Sequence, residues 1–507
     1  MRRRQESLMK DTTIFHIDVN SAFLSWSAVK RLREDPDALD LRTVPSAVGG
    51  DVDSRHGIIS AKSIPAKKYD IHTGMPVVKA LQQCPDLILV PGDFETYHAY
   101  SHAFITILRK YSDKVEQASI DEAYMDVSGT AGIYSSFETE TLQFPLSLAY
   151  HIKNEIRDTL GFTVNVGVSS NKLLAKMASD FEKPDKVHTL FPDEIEDKMW
   201  PLPIGSLFGC GGKTAERLHS YGIKTIGDAA HSSEKVLKSI LGEKAGEYIF
   251  SAANGHGSTF VNPVRDEAKS YSNEYTVSHD INASNFEAEA PQIIRRLSES
   301  VGKRLRRDNV FGRTVVVSVK INEFKRHSIQ RGLDSSTNST EVIYSTALAL
   351  LKEISFGKQN NTFLNDFSAS KQKTGSAESF KLVNDSDKNI ISTDIIHGKK
   401  VEHFSDNNGR IRKGLHPDNH NGNSDDFADQ SAVNKNAGLL SDNRTGYRLL
   451  GVGVTNLDHG EERQLSIFDF SEQSEEEKKE LERENRLDRM EDEIMKRFGK
   501  GAIHKGT

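Results

Sequence analysis

Asp18 closes the apolar run Thr13-Ile-Phe-His-Ile-Asp18-Val-Asn20, and a second acidic pair follows far downstream in Ser119-Ile-Asp121-Glu122-Ala123. Carboxylates set where strands emerge are hard oxygen donors, and Mg²⁺ is held by one or two of them together with substrate phosphates. Such a set suits in-line phosphoryl chemistry. The same residue types also cap strands and build ordinary turns, so their meaning rests on the elements that carry them.

Hydrophobic periodicity predicts a strand over 12–18, a helix over about 95–111, a hairpin over 115–127, a helix over 147–160 and a strand over 162–169. This is a βαββαβ order with the carboxylates at strand ends. Residues 23–92 interrupt it and are rich in Gly, Pro and Lys, which reads as a small subdomain over the sheet. A helix follows over Asn171-Lys-Leu-Leu-Ala-Lys-Met-Ala-Ser-Asp180 and stops near Pro184. Residues 191–258 read as an all-helical unit. In it, Phe208-Gly-Cys-Gly-Gly-Lys213 puts Gly209, Gly211 and Gly212 in a turn before a helix. That arrangement is similar to a helix-hairpin-helix, whose backbone N–H groups hold DNA phosphate without reading sequence; a tight interhelical loop has the same composition.

From Lys269 the order repeats: strand (270–279), helix (286–307), strands (313–322 and 324–331) and helix (339–354). The closing strand is expected at Tyr447-Arg-Leu-Leu-Gly-Val-Gly-Val-Thr455, beyond a polar stretch from Gly357 to Arg444. That stretch has too few large apolar residues to offset its ordering entropy and is expected to be a disordered insertion. Closure cost grows slowly with loop length, so a folded domain tolerates it. Past Asp458 come an apolar peptide, Gln464-Leu-Ser-Ile-Phe468, and a mixed-charge, helical tail over 471–497 expected to be solvated.

At 507 residues the chain has room for several domains. It has no run approaching the roughly 18 apolar residues of a membrane span, and its start lacks a secretory signal, so a cytoplasmic protein is expected. Its two cysteines, Cys84 and Cys210, lack metal-ligand spacing. The net charge of −7 excludes a uniformly basic nucleic-acid binder, yet residues 295–331 hold eleven Lys or Arg against Glu299, Asp308 and Glu323. Charge is therefore concentrated rather than spread.

Asp18-Val-Asn-Ser-Ala-Phe23, Ser119-Ile-Asp-Glu-Ala-Tyr124, Gly167-Val-Ser-Ser-Asn-Lys172 with Ala175-Lys-Met-Ala, and the Gly-rich turn occur in that order. Together they resemble a Y-family translesion DNA polymerase of the DNA polymerase IV branch. The resemblance implies an α+β, multidomain right-hand polymerase. Its parts would be a βαββαβ palm (1–22 and 93–190), small fingers (23–92), a helix-hairpin-helix thumb (191–258) and a second βαββαβ little finger (268–356 and 446–457). The insertion (357–445) and a tail (458–507) complete the chain.

By this resemblance Asp18, Asp121, Glu122 and the Val19 carbonyl hold two Mg²⁺ ions, and Phe23 is the steric gate against a ribose 2′-hydroxyl. Lys67 and Lys183 contact the triphosphate of a deoxynucleoside triphosphate. Many relatives carry Tyr and Arg where this chain has Ile64 and Lys67, and an acidic residue where it has Asn20. Gly209, Gly211, Gly212 and Lys213 would meet the primer-template backbone, as would Lys303, Arg304, Arg306, Arg307 and Arg331 in the basic segment. Gln464, Leu465, Ser466, Ile467 and Phe468 resemble the peptide that docks on a sliding clamp. A monomer without membrane contact is expected. Two other readings remain open to the sequence: a catalytically silent DNA-binding adaptor of the same fold, and a palm-type nucleotide cyclase, which has no use for the Gly-rich turn or the basic segment.

Overall fold

All six residues of strand β1, Ile14–Val19, are buried, as a central strand covered on both faces requires. The computed structural model describes residues 12–50, 57–357, 390–396, 399–405, 411–413, 438–440, 444–459 and 475–499. It divides into two compact units, Met1–Ala268 and Lys269–Thr507.

In the first unit, β1 leads into helix α1, Ala22–Glu34, and then into a separate small sheet. Strands β2 (Ser46–Gly49), β3 (Ile59–Lys62) and β4 (Ile88–Val90) make this sheet in the order β3-β2-β4, with short helices α2 (Ile64–Lys67) and α3 (Val77–Gln83) between β3 and β4. Its own core gathers Ala47, Ile59, Ile71, Met75 and Val77. Helix α1 serves both bodies: Trp26 and Val29 enter the main core, while Leu24 and Ala28 pack with Leu41 and Val48. The interruption between strand and helix is thus a subdomain, with a first helix shared with the main sheet.

The main sheet continues through α4 (Phe94–Leu108), β5 (Val115–Gln117), β6 (Glu122–Asp126), α5 (Leu146–Leu160), β7 (Val164–Ser169), α6 (Lys172–Ser179) and β8 (Val187–Thr189). Its order is β5-β6-β1-β7-β8. The expected βαββαβ order holds, with β8 added parallel to β7. Alternation along β1 sends Phe15, Ile17 and Val19 into the core with α4 and α5, and leaves His16 and Asp18 on the opposite face, where α6 lies. Gly167, opposite His16, lets α6 come close: a Cβ there would stand 2.0 Å from the Ala175 carbonyl oxygen. That contact explains the glycine of the Gly167–Lys172 motif. Asn171 caps α6 by accepting from the Leu174 N–H at 2.9 Å.

The second face of α6 supports the helical segment. Leu173, Leu174 and Met177 join one core with residues of α7 (Gly212–Ser220), α8 (Ile226–His231), α9 (Glu234–Leu241) and α10 (Glu243–Ala253).

The second unit contains β9 (Ser270–Ile281), α11 (Phe286–Arg307), β10 (Phe311–Ile321), β11 (Arg326–Thr337) and α12 (Thr340–Phe356). Strands β12 (Ile390–Ile396), β13 (Lys399–Ser405) and β14 (Ile411–Lys413) form a separate antiparallel sheet within the insertion. This departs from the fully disordered loop expected there; the flanking residues of that expectation lie outside those described. The insertion returns at Leu439 and Leu440, whose N–H groups bond the Ile354 and Ser355 carbonyls at the end of α12. Strand β15 (Tyr447–Asp458) closes the second motif, antiparallel to both β10 and β9 in the order β11-β10-β15-β9.

Helix α13, Glu475–Phe498, is not simply solvated as its charge pattern predicts. Its Asp488 and Asp492 take the Arg306 guanidinium at 3.0 and 2.7 Å, and Asp488 also accepts from the Thr340 N–H at the start of α12. Among the described residues no helix is long and apolar enough to cross a membrane.

Candidate active site

The register of the main sheet sets the carboxylates. Asp18 stands directly opposite Glu122 across the β1–β6 pair, and Asp121 precedes Glu122 where the hairpin turns. The Val19 N–H bonds the Asp121 carbonyl at 3.0 Å, locking the two strand ends together. Asp18, Val19 and Asp121 line a cleft of about 350 Å³ with Phe23, Lys67 and Lys183. Six of the seven residues expected to handle metal and nucleotide therefore meet in one cleft. Glu122 stands behind its wall, tied to Lys176 Nζ at 2.6 Å.

Two lysines serve as counter-ions. Lys183 is ion-paired with Asp18 and reaches Asp180 at 2.8 Å. Burial pushes the Asp18 carboxyl up despite the Lys183 ammonium beside it. Glu122 is held down to about 2 by the His16 imidazole and the Lys176 ammonium. Of these two, Lys176 makes the true contact, since His16 Nε2 lies 3.8 Å from Glu122, outside hydrogen-bond reach. His16 is itself buried and its pKa lowered by that burial, while its Nδ1 meets Ser179 Oγ at 2.8 Å.

Among the described residues no three acidic, His or Cys side chains form a ready cage. The donor set still fits a hard divalent cation: it is all oxygen, and the two carboxylates that face each other across the strands already draw ammonium groups to them.

Phe23 is half-buried in an aromatic cluster. Its ring stacks on Tyr97 at 4.6 Å and meets Phe94 edge-on at 5.7 Å, so its position over the cleft is fixed by packing. Asn20 ties neighbouring segments together through its side-chain amide. Its side-chain oxygen accepts from Thr163 Oγ1 and the Asp185 N–H, and its amide reaches Asn165. Asn165 in turn holds the Glu182 carbonyl at 2.6 Å, so the Lys183 segment is tied to both β1 and β7. Sequence reasoning missed Asn165, His16 and Lys176 as members of this site. Alternation along β1 puts His16 on the face of Asp18, whereas Asn165 is placed by the register of β7 against β1 and Lys176 by the packing of α6, which no local pattern shows.

The Gly-rich turn opens α7 with Gly211 as its N-cap and Lys213 exposed. Gly209 has φ +84°, and its Cβ would strike the Tyr248 ring at 2.5 Å, whose hydroxyl donates to the Phe208 carbonyl. A Cβ at Gly211 or Gly212 would meet nothing within 4 Å, so the backbone there is open to an approaching phosphate.

The basic residues of the second unit spread around the end of α11 instead of sharing one face. Lys303 and Arg307 are exposed, Arg307 pairing with Asp308 at 2.8 Å. Arg304 lies over the Tyr271 ring and donates to the Ser272 carbonyl. Arg331 pairs with Glu353 on α12 at 2.8 Å. Arg306, expected at the DNA backbone, is instead enclosed by Asp488 and Asp492, because its side chain points toward α12 and the tail helix. Residues 464–468 lie outside those described.

Comparison with known proteins agrees with this geometry. Family models match at 17–180 (impB/mucB/samB family), 205–256 (DNA polymerase-iota, thumb domain) and 268–371 (impB/mucB/samB family C-terminal domain). DNA polymerase IV of Clostridium acetobutylicum is 40% identical over 341 residues, covering 67% of this chain and 83% of that protein. DNA polymerase IV 1 of Bacillus subtilis is 39% identical over 317 residues, covering 62% and 72%. A solved Y-family DNA polymerase chimera of Dbh and Dpo4 shares the fold, with a TM-score of 0.59 at 22% identity over 88% of this chain and 98% of that one. The chain belongs to the Y family of DNA polymerases, in the DNA polymerase IV branch, and is a metal-dependent DNA-directed DNA polymerase of translesion synthesis.

Proposed function

We propose that Asp18, Asp121, Glu122 and the Val19 carbonyl hold two Mg²⁺ ions for low-fidelity nucleotidyl transfer from a deoxynucleoside triphosphate to a primer 3′-hydroxyl. The observation that carries this reading is the register of Asp18 against Glu122, with Asp121 and Val19 opening into the cleft that Phe23, Lys67 and Lys183 share. When bound, the ions lower the pKa of the 3′-hydroxyl and stabilise the leaving pyrophosphate. The chain's own side chains orient the reactants. Lys183 and Lys67 draw the triphosphate as point charges, Phe23 closes the sugar edge, and Lys176 keeps Glu122 ionised and fixed.

In this reading the palm comprises 1–22 and 93–190, the fingers 23–92, the thumb 191–258 and the little finger 268–356 with 446–457. Gly209, Gly211, Gly212 and Lys213, together with Lys303, Arg304, Arg307 and Arg331, meet the primer-template backbone. Their grip is salt-sensitive and independent of sequence. Residues 464–468 dock on a sliding clamp, and the enzyme acts as a monomer in the cytoplasm.

Primer extension with Mg²⁺ tests the centre of this reading. Asp121→Ala is expected to lower the extension rate on the order of 100-fold or more while leaving DNA affinity, read by fluorescence anisotropy, within about twofold. Extension by that variant at the wild-type rate would remove Asp121 from the reaction.

A further inference from the structure

Strand β3 carries a residue that the metal and triphosphate set above omits. Ile59 is buried in an apolar core, and the three residues that follow it on the strand, Ser60, Ala61 and Lys62, all line the active-site cleft. Lys62 is only half-exposed there, and no ion pair joins it or Lys67 to a carboxylate among the described residues. Lys183 differs: Asp18 and Asp180 neutralise it. Burial and the nearby Lys67 ammonium both depress the Lys62 pKa, since each disfavours the charged form. Among the described residues the recess thus holds Lys62 and Lys67 without ion-pair partners, together with the carboxylates of Asp18 and Asp121.

An anion with several charges relieves that repulsion, and a triphosphate is the anion the reaction brings. We propose that Lys62 is a triphosphate-binding residue of this polymerase, acting with Lys67. It supplies positive charge on the side of the cleft where Ile64, an exposed apolar residue, offers no hydrogen bond. This rests on the nucleotide-binding reading of the cleft. A lysine on a strand is a compact point charge whose ammonium tolerates several phosphate geometries, so Arg retains most of its effect and neutral residues do not. The binding is made equally in ground and transition states, so its loss appears in KM and not in kcat.

Single-nucleotide insertion kinetics on a primer-template test this in the full-length chain. Lys62→Gln and Lys62→Ala are expected to raise KM for the deoxynucleotide on the order of tenfold, with kcat and DNA affinity within about twofold. Lys62→Arg is expected to restore most of the loss, and the inhibition constant for pyrophosphate should rise in parallel with KM. An unchanged KM in Lys62→Gln overturns the assignment. So does an equal rise in Lys62→Arg, because that would reflect packing rather than charge. Failure of the underlying reading looks different: the wild-type chain would not extend primers at all, or Asp121→Ala would extend them as well as wild type.

Discussion

At the scale of single residues, the site is built from alternation. One face of β1 gives Phe15, Ile17 and Val19 to the core, and the other turns His16 toward Ser179 and Asp18 toward the cleft. Phe23 then depends on neighbours that hold its ring still: Tyr97 beneath it, itself anchored by a hydroxyl contact to Ser27 Oγ at 2.9 Å, and Phe94 at its edge. In the proposed reading, a ring fixed in this way would reject an added oxygen by shape. Phe23→Ala should therefore raise ribonucleotide insertion relative to deoxyribonucleotide on the order of 10- to 100-fold. Competing the two nucleotides in a single-insertion assay measures it, and an unaltered preference would leave Phe23 as a packing residue only. The acidic motifs were visible in the sequence because they stand at the ends of short apolar strands, and Phe23 was singled out by the resemblance of its motif to the family. Lys62, Lys176 and Asn165 were not, since their roles depend on which neighbouring strand or helix faces them.

At the scale of elements, the least expected contact is the tail helix. The sequence of α13 reads as a solvated charge pattern, yet Asp488 and Asp492 enclose Arg306, which also donates to the Asn338 carbonyl and Thr340 Oγ1. Nearly two hundred residues separate the partners, and no local rule links them. The Arg306 side chain is only 10% exposed, so removing one member leaves charge with poor access to water. Arg306→Ala should destabilise the second unit by about 2 kcal/mol, less than a fully buried pair would lose. Urea denaturation measures this in the full chain and in a chain ending at 470. If the tail contributes as described, the cost is smaller in the shorter chain; equal costs would assign the loss to Asn338 and Thr340 alone.

At the scale of the whole molecule, two βαββαβ sheets and one helical segment share a single chain. The order of the two βαββαβ motifs was legible, including the closing strand at 447 across a long insertion, because their strands and helices carry their own periods, whereas β2–β4, β8 and β12–β14 were not anticipated. Function beyond the catalytic body belongs to this scale too. Deleting 464–468 should abolish clamp-stimulated synthesis and spare basal primer extension; loss of both would make that segment structural. The sequence by itself determined the family, the element order and the acidic residues, since hydrophobic period and local motif are written in neighbouring residues. Only the tertiary structure decided that Asp18 faces Glu122, that Lys62 lines the same cleft as Asp18, and that Arg306 pairs with the tail helix. Those facts depend on strand register and on contacts between residues far apart in the chain, where one step of register reverses every side chain.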